Sequence, residues 1–396
     1  MKEGIIVDDL RLIGIPGTNK VMAGEFSRLV RRAFNDVKIK EPAKAGLGAL
    51  IYPFEPRLAA LAVTYHRTAS RVLRGLYRSE AKRLEPLYDD LLAGVSADTR
   101  GWFKDGMTFS IAVSHVACFE AGGRQIVGVV KNALVDGAKM RGVSLSVDPD
   151  NPDFRLDVRM NEDTLTVAMD LAGRPMNQRG YRTDRGLAPL RENLAAVLLM
   201  LARYDSRFDL LLDPMAGSGT IAIEAALMAR GQAVWSPPRA PMAKNIEPYS
   251  EFIPDNPPPL FGDAAPAIIA SDIDKRMKRV TQKNMEAAGV EGLIEPWCAD
   301  FRSLDAEMVK ERAKSLGLER ERGLIISNPP YGERLDPDDL NGLYSELGEW
   351  ARTFKGWRAA FIVANTDFEA AFGGRARIKK PLSNGPLKGY FLQYDL

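Results

Sequence analysis

From Leu210 onward one pattern repeats: a short, β-rich apolar run ends in turn-forming or polar residues and is followed by a helical stretch. FDLLLDP, AIIASD, GLIISNPP and AAFIVANT are the clearest of these runs. Apolar strands alternating with helices are the signature of a parallel sheet covered by helices on both faces. The polar residue that closes each run then lies at the carboxyl edge of the sheet, where open α/β folds bind their ligands.

The first 175 residues read differently. Strand candidates at Met107–Val113, Phe154–Met160 and Thr164–Leu171 alternate apolar and polar side chains, as half-exposed antiparallel strands do, and they flank a helix-like run from Arg124 to Met140. This predicts an α+β module ahead of the α/β one. The arginine-rich stretch Gly173–Arg185 precedes an apolar helix, Leu190–Leu201, and reads as the connector. A second irregular stretch, Ser236–Pro266, is rich in proline and lacks periodicity, which predicts a long loop after the first helix of the sheet, either a substrate-contacting flap or a tolerated insertion.

Composition narrows the chemistry. The 396 residues carry 54 Lys and Arg against 52 Asp and Glu, so any polyanion must be met by a local patch and not by the chain as a whole. Residues 1–200 hold 29 basic and 24 acidic side chains, a small excess that favours the N-terminal half for such contact. Cys118, Cys298, His66 and His115 are the only cysteines and histidines, too few for a disulfide framework or a four-ligand zinc site, so no metal is expected. MKEGIIVDDLRLIGIPG lacks the apolar core of a signal peptide, and no apolar run approaches 18 residues. The expectation is a cytoplasmic protein with both thiols reduced and no membrane span.

FDLLLDP runs straight into MAGSGTIAIEAALMARG, so Gly217 and Gly219 form a turn between strand and helix. Such a turn lets backbone approach a ligand and aims free helix amides at it, although a ligand-free tight turn is the plainer alternative. No Lys follows Gly219 as a phosphate-binding loop requires, and the glycines do not fall in the GxGxxG pattern of dinucleotide folds. Asp213, ahead of the glycines, suits an ammonium group. The next strand delivers Asp272 and Asp274, and a carboxylate there can accept both hydroxyls of a ribose. S-adenosylmethionine carries an α-amino group and a ribose together. Asp300, after EPWCA, is placed to reach an adenine amino group, with Phe301 beside the ring.

GLIISNPPYGERL puts Asn328, Pro329, Pro330 and Tyr331 on the same edge. The amino group of a nucleobase is a poor nucleophile because its lone pair is delocalised into the ring, so methylating it demands fixed geometry. The Asn328 oxygen and the Pro329 carbonyl can accept the two N–H bonds and turn the lone pair towards a sulfonium methyl. Pro330 stiffens the loop, and Tyr331 offers a face on which an extruded base can stack. Cys298 sits on an apolar strand and is expected to be a core thiol, which disfavours a covalent route.

DPMAGSGTIAIEAA, SDID, CADF, NPPYGERL and SNGPLKGYFLQYDL together resemble the class I S-adenosylmethionine-dependent amino-methyltransferases with the NPPY signature, across Arg179–Leu396. RQIVGVVKNALVDGAKMRG, NPDFRLDVRMNEDTLTVAMDLAG and RGYRTDRGLAPLRENLAA resemble the THUMP domain and junction of the RlmL-type large-subunit rRNA guanine N2-methyltransferases. The resemblance implies a Rossmann-like methyltransferase sheet at residues 173–396, behind an α+β RNA-binding region made of a ferredoxin-like domain (1–65) and a THUMP domain (66–172). It implies that Asp213, Pro214, Ala216, Gly217, Ser218, Gly219 and Thr220 hold the methionine end of the cofactor. Asp272 and Ile273 would hold its ribose, Asp300 and Phe301 its adenine, and Asn328 would border both cofactor and base. The segment APLREN, at 188–193, would close over the methionine end.

The implied activity is methylation of guanine N2 in RNA, large-subunit (23S) rRNA first and tRNA as the alternative, by a monomer without a membrane partner. A DNA adenine N6-methyltransferase also shares NPPY, and a non-catalytic RNA-binding factor is the rival from another class. Two arginine groups are candidate RNA contacts. Arg67, Arg71, Arg74 and Arg78 would line one stripe if helical, facing phosphates or simply solvent, with Gly75 ending that helix early. Arg174, Arg179, Arg182 and Arg185, with Tyr181, cluster at the connector and would meet RNA or form internal salt bridges.

Overall fold

The computed structural model describes residues 5–44, 46–161, 163–182, 190–262, 264–330, 337–364, 367–384 and 387–396. The chain forms two compact units, neither continuous in sequence. The N-terminal unit comprises Met1–Gly14, Met22–Met176 and Val234–Pro257, and the C-terminal unit, which carries the α/β sheet, Ile15–Val21, Asn177–Ala233 and Pro258–Leu396.

The N-terminal unit contains β1 (Ile6–Gly14), most of α1 (Asn19–Ala33), β2 (Ala43–Lys44), β3 (Ala49–Pro53), α2 (Pro56–Tyr65), β4 (Ala69–Ser79) and α3 (Leu84–Ala97). These are followed by β5 (Thr108–Ser114), α4 (Gly123–Met140), β6 (Ser146–Val147), β7 (Phe154–Asn161) and β8 (Thr164–Asp170). One sheet runs β2-β3-β1-β4-β8-β7-β5-β6, so it is continuous across the boundary expected at residue 65. α4, β5, β7 and β8 fall where the sequence put them, but β5 pairs with β7 in parallel, not antiparallel as expected. The connection between them is the helix α4, the crossover that a parallel pair requires.

The arginine stripe does not exist as a helix. Residues 69–79 form a strand that pairs with β1 on one side and β8 on the other. Leu73, Gly75, Leu76 and Tyr77 are all buried, so solvation does not favour a helix here, and Gly75 lies mid-strand beside a register shift. Arg74 is 2% exposed, its guanidinium carbon 3.3 Å from the ring centroids of both Phe54 and Trp102. Its Nε donates to Asp8 at 3.0 Å and its Nη1 to the Tyr249 hydroxyl at 3.1 Å. Burial holds its pKa below the ordinary arginine value.

Tyr249 comes from the proline-rich stretch, whose first part is tied into the N-terminal unit and is not a loose insertion. Val234 N–H donates to Thr64 O at 2.8 Å and Ala243 N–H to Leu171 O at 2.9 Å, so the segment is strapped across α2 and the end of β8. Apart from two single 3-10 turns it has no regular structure, as expected where prolines remove N–H donors. Tyr249 is completely buried and packs perpendicular to Phe54 at 6.0 Å.

The C-terminal unit contains α5 (Glu192–Leu201), β9 (Asp209–Asp213), α6 (Thr220–Ala229), β10 (Ala267–Asp272), α7 (Lys275–Ala288), β11 (Glu295–Cys298) and α8 (Ala306–Ser315). It continues with β12 (Arg322–Ser327), α9 (Pro337–Ala351), β13 (Arg358–Val363), α10 (Phe368–Phe372), β14 (Ile378–Asn384) and β15 (Leu387–Asp395). Its sheet runs β11-β10-β9-β12-β13-β15-β14, parallel as far as β13 and antiparallel beyond it. Alternate residues serve two cores: Leu211, Ile268 and Ile326 pack under α5 and α6, whereas Leu212, Ile269 and Ile325 pack under α9. The chain leaves β9 for β10 on one side and later returns to β12 on the other, so the crevice lies at the carboxyl end of β9.

Removing the Tyr249 ring takes away one of the buried side chains that seat the strap, beside Trp235, Ile246 and Ile253. Tyr249→Ala is expected to cost about 3–5 kcal/mol, and Tyr249→Phe, which loses only the Arg74 hydrogen bond, about 1 kcal/mol, in urea unfolding.

Candidate active site

β9 is DLLLD, buried at all five positions, and it ends at Asp213. The turn that follows is possible only with glycine. Gly217 and Gly219 have φ of 54° and 79°, and a Cβ on Gly219 would lie 2.7 Å from Thr281 Cγ2. Among the described residues no atom lies within 4 Å of the Cβ position of Gly217, so they leave that face of the turn open. The next helix, α6, is almost wholly buried and begins at Thr220.

Neighbouring elements hold this loop group by group. Ala216 N–H donates to Ser271 O at 2.8 Å, and Gly217 N–H donates to Asp272 Oδ2 at 2.8 Å. From α7, Thr281 Oγ1 donates to Gly217 O at 2.9 Å and Asn284 Nδ2 to Ser218 O at 3.0 Å. Ser218 Oγ lies 3.2 Å from Thr220 Oγ1, and Pro214 and Met215 form the turn leaving β9. The backbone of 216–218 is therefore set before any ligand arrives.

Asp272 accepts a second amide, that of Asp274, on Oδ1 at 2.9 Å, and each of its oxygens retains a lone pair for a hydroxyl. Asp274 does not share that role: its carboxylate caps α7 through Arg276 N–H at 2.8 Å and pairs with the Arg276 guanidinium. Ile273 is 68% exposed between the two acids, an apolar surface beside the ribose acid. Ala299 N–H donates to Asp272 O at 3.1 Å, which brings the end of β11 and Asp300 alongside. Asp300 caps the 3-10 turn Phe301–Ser303 and pairs with Arg302 at 2.9 Å.

Two residues of this strip differ from what the sequence predicts. Phe301 is 4% exposed and packs edge-on against Trp350 at 5.4 Å, so its ring belongs to the core and its backbone alone is left to face a purine. Cys298 is exposed and not a core thiol, because β11 is the edge strand and has one neighbour only.

On the other side of β9, Ser327 Oγ donates to Asp213 Oδ1 at 2.6 Å, and Met215 N–H donates to the same oxygen at 3.3 Å. Asp213 is 1% exposed, and burial pushes its carboxyl up to about 7, with the charge of Asp272 adding to the rise. Asn328 follows Ser327 directly. Its Oδ1 is buried and accepts no hydrogen bond among the described residues, and unlike most of the other atoms in that condition it lies at the carboxyl edge of the sheet. Pro329 is buried, and the carbonyl of Pro330 accepts the Tyr344 hydroxyl of α9 at 2.8 Å, which anchors the loop from behind. Tyr331 lies outside the described residues.

Arg179, Tyr181 and Arg182, expected on an RNA surface, turn inward. Glu224 sits fully buried in the apolar helix α6, and such a carboxylate must be matched. Arg179 Nε lies 3.3 Å from Glu224 Oε1, and the Tyr181 hydroxyl donates to the same oxygen at 3.2 Å. Arg182 Nη2 donates to Leu190 O at 2.6 Å and to Thr220 Oγ1 at 3.2 Å, and lies 3.6 Å from Glu192. Burial raises the Glu192 carboxyl, with Arg182 pulling the other way. Of the APLREN segment, residues 188 and 189 lie outside the described residues. Sequence reading missed Ser327, Thr281 and Asn284 as supports. The signal for the last two was present, since they are buried-type polar residues three apart, on one face of an otherwise basic helix.

The strand order, the glycine turn after the central strand and the acid after its neighbour define a class I methyltransferase domain. S-adenosylmethionine fits this donor set: open space over Gly217, an acid with free lone pairs at Asp272, and the unclaimed Asn328 acceptor where the methyl would be delivered.

The family described as UPF0020, RMKL-like methyltransferase domain, matches residues 179–393, and the chain belongs to it. The ribosomal RNA large subunit methyltransferase K/L of Syntrophotalea carbinolica is 35% identical over 284 residues, covering 67% of this chain and 38% of that protein. The K/L protein of Shewanella baltica (strain OS185) is 31% identical over 372 residues, 85% of this chain and 48% of that one. The chain thus spans less than half the length of these two relatives. The structure of SMU.472, complexed with SAH, superposes with a TM-score of 0.80 at 25% identity, covering 98% of both chains. A possible methylase from Clostridium difficile 630 gives 0.77 at 27%, again over 98% of both.

Gly219→Ala adds both left-handed strain and the Thr281 clash. It is expected to weaken S-adenosylmethionine binding at least about tenfold by calorimetry, the two effects together being worth more than 1.4 kcal/mol. Adding Thr281→Ser, which removes the clashing Cγ2, is expected to restore part of the loss.

Proposed function

We propose that the chain methylates the exocyclic N2 of a guanine in RNA, with large-subunit rRNA as the substrate. S-adenosylmethionine supplies the electrophilic methyl. The single observation that carries the reading is the unclaimed Asn328 oxygen at the end of β12, on the edge that also bears the glycine loop and Asp272.

In this reading the guanine leaves its stack and its amino group enters beside Asn328. Oδ1 and the Pro329 carbonyl accept its two N–H bonds, so the nitrogen lone pair is drawn out of the ring plane and aimed at the methyl. The new N–C bond forms as the sulfonium C–S bond breaks, leaving S-adenosylhomocysteine. The nitrogen, cationic after attack, then loses one proton to solvent, so no side-chain base is needed. Tyr344 holds the Pro330 carbonyl, and the resemblance gives Tyr331 the role of stacking on the base.

The choice of RNA rests on the THUMP-like resemblance of residues 66–172 behind a ferredoxin-like segment at 1–65, and is supported by the names of the K/L relatives. It implies a cytoplasmic, monomeric enzyme. Among the described residues, no helix is long and apolar enough to cross a membrane.

Asn328→Ala is expected to reduce methyl transfer at least about a thousandfold, the scale of removing a transition-state hydrogen-bond partner, while S-adenosylmethionine affinity changes less than about threefold. Wild-type turnover in that variant would end the assignment. Asp213 gives a second test through pH. Its carboxyl in the ligand-free protein is pushed up to about 7, and an ammonium beside it favours the ionised form. Cofactor affinity is therefore expected to be full above pH 7 and to fall as pH drops below it, with protons released on binding near pH 6. Asp213→Asn should bind more weakly and show no such dependence.

A further inference from the structure

We propose that the N-terminal unit carries a phosphate-binding cleft for the RNA backbone, formed where the proline-rich strap passes Arg155 and Arg174. The proposal rests on the RNA reading above.

The cleft measures about 450 Å³ and lies between residues 151–155, the turn at Gly173–Arg174 and strap residues 238–245. That volume exceeds what one phosphate ion fills and is in the range of nucleotide-sized sites. Its lining is polar, with Asn151 and Asn245 beside the two arginines. The single carboxylate in the lining is Asp153, already accepting the Thr108 amide at 2.7 Å and the Thr108 hydroxyl at 3.0 Å.

Arg174 is the telling residue. It is half-buried, its Nη1 donates to Ala240 O at 3.3 Å and its Nη2 to Arg239 O, so the strap positions it through carbonyls alone. Burial, together with the charge of the neighbouring Arg239, pushes its pKa down to about 10, and it remains a cation at neutral pH. Among the described residues no carboxylate lies within ion-pair distance of Arg174 or of the exposed Arg155.

The adjoining hollow is different. Lys104 there pairs with Glu247 at 2.6 Å and Lys244 with Asp255 at 2.5 Å. The adjoining hollow thus matches both of its lysines with acids, whereas the larger cleft holds two arginines with no acid at ion-pair distance among the described residues. A partly desolvated guanidinium pressed towards a second cation is stabilised by an anion, and its planar fork suits two phosphate oxygens. The strap, for which the sequence left open a substrate-contacting role or a tolerated insertion, becomes one wall of an RNA site.

The test is filter binding of an in vitro transcript of large-subunit rRNA to the full chain between 50 and about 200 mM salt, the range over which phosphate contacts dominate affinity. Arg155→Gln and Arg174→Gln are each expected to weaken binding severalfold and to reduce the slope of log K against log salt by about one, the double variant by about two. Melting temperature and S-adenosylmethionine affinity should stay at wild-type values. Folded variants with unchanged affinity and slope would overturn the cleft. If Arg174→Gln does not fold, Arg155→Gln, whose side chain is exposed, decides alone by the same criterion. Failure of the wild-type chain to bind the transcript would instead overturn the RNA reading, and the cleft with it.

Discussion

The backbone of residues 216–218 is the fixed point of the C-terminal unit. Its amides are taken by Ser271 and Asp272 of the neighbouring strand, and its carbonyls by Thr281 and Asn284 of the helix beyond. Each of these contacts spans 55 residues or more of sequence, so the loop is as rigid as the sheet that carries it. A site preorganised in this way spends little ordering entropy on binding. Asp272 joins the two functions, since the carboxylate that anchors the loop is also the acid offered to the ribose.

A second buried network connects the connector segment to the same loop. Arg179 and Tyr181 match Glu224 inside α6, and Arg182 bridges Leu190, Glu192 and Thr220 at the start of that helix. The charges there are internal, and they fix how the chain enters the glycine turn. Sequence alone leaves an arginine cluster free to face either RNA or protein. The outcome is decided by one buried glutamate in an apolar helix, which demands partners within reach.

The strands at the carboxyl edge were legible because a parallel strand buried on both faces reads as an unbroken apolar run, and β9, β10, β12 and β13 are all of that kind. The NPP and DPMAGSGT motifs were legible because their glycines and prolines have few structural uses. The first hundred residues were not. Arginines spaced four, three and four fit a helix as well as a strand, and only the partners of β4 on both sides, with the register shift near Gly75, decide for the strand. Cys298 and Phe301 were misread for a related reason: whether a strand is an edge, and which way a ring turns after it, depends on neighbours far away in sequence. The acceptor of Asn328, which no described residue reaches, has no sequence signal, because it is defined by what surrounds it.

The central claim is a methyl placed on guanine N2 of RNA, and the most direct measurement is transfer of labelled methyl from S-adenosylmethionine to large-subunit rRNA, tRNA and DNA separately. The labelled nucleoside is then identified by mass spectrometry. N2-methylguanosine in large-subunit rRNA is the expected result. Label confined to N6-methyladenine in DNA, or no label despite measured cofactor binding, would contradict it.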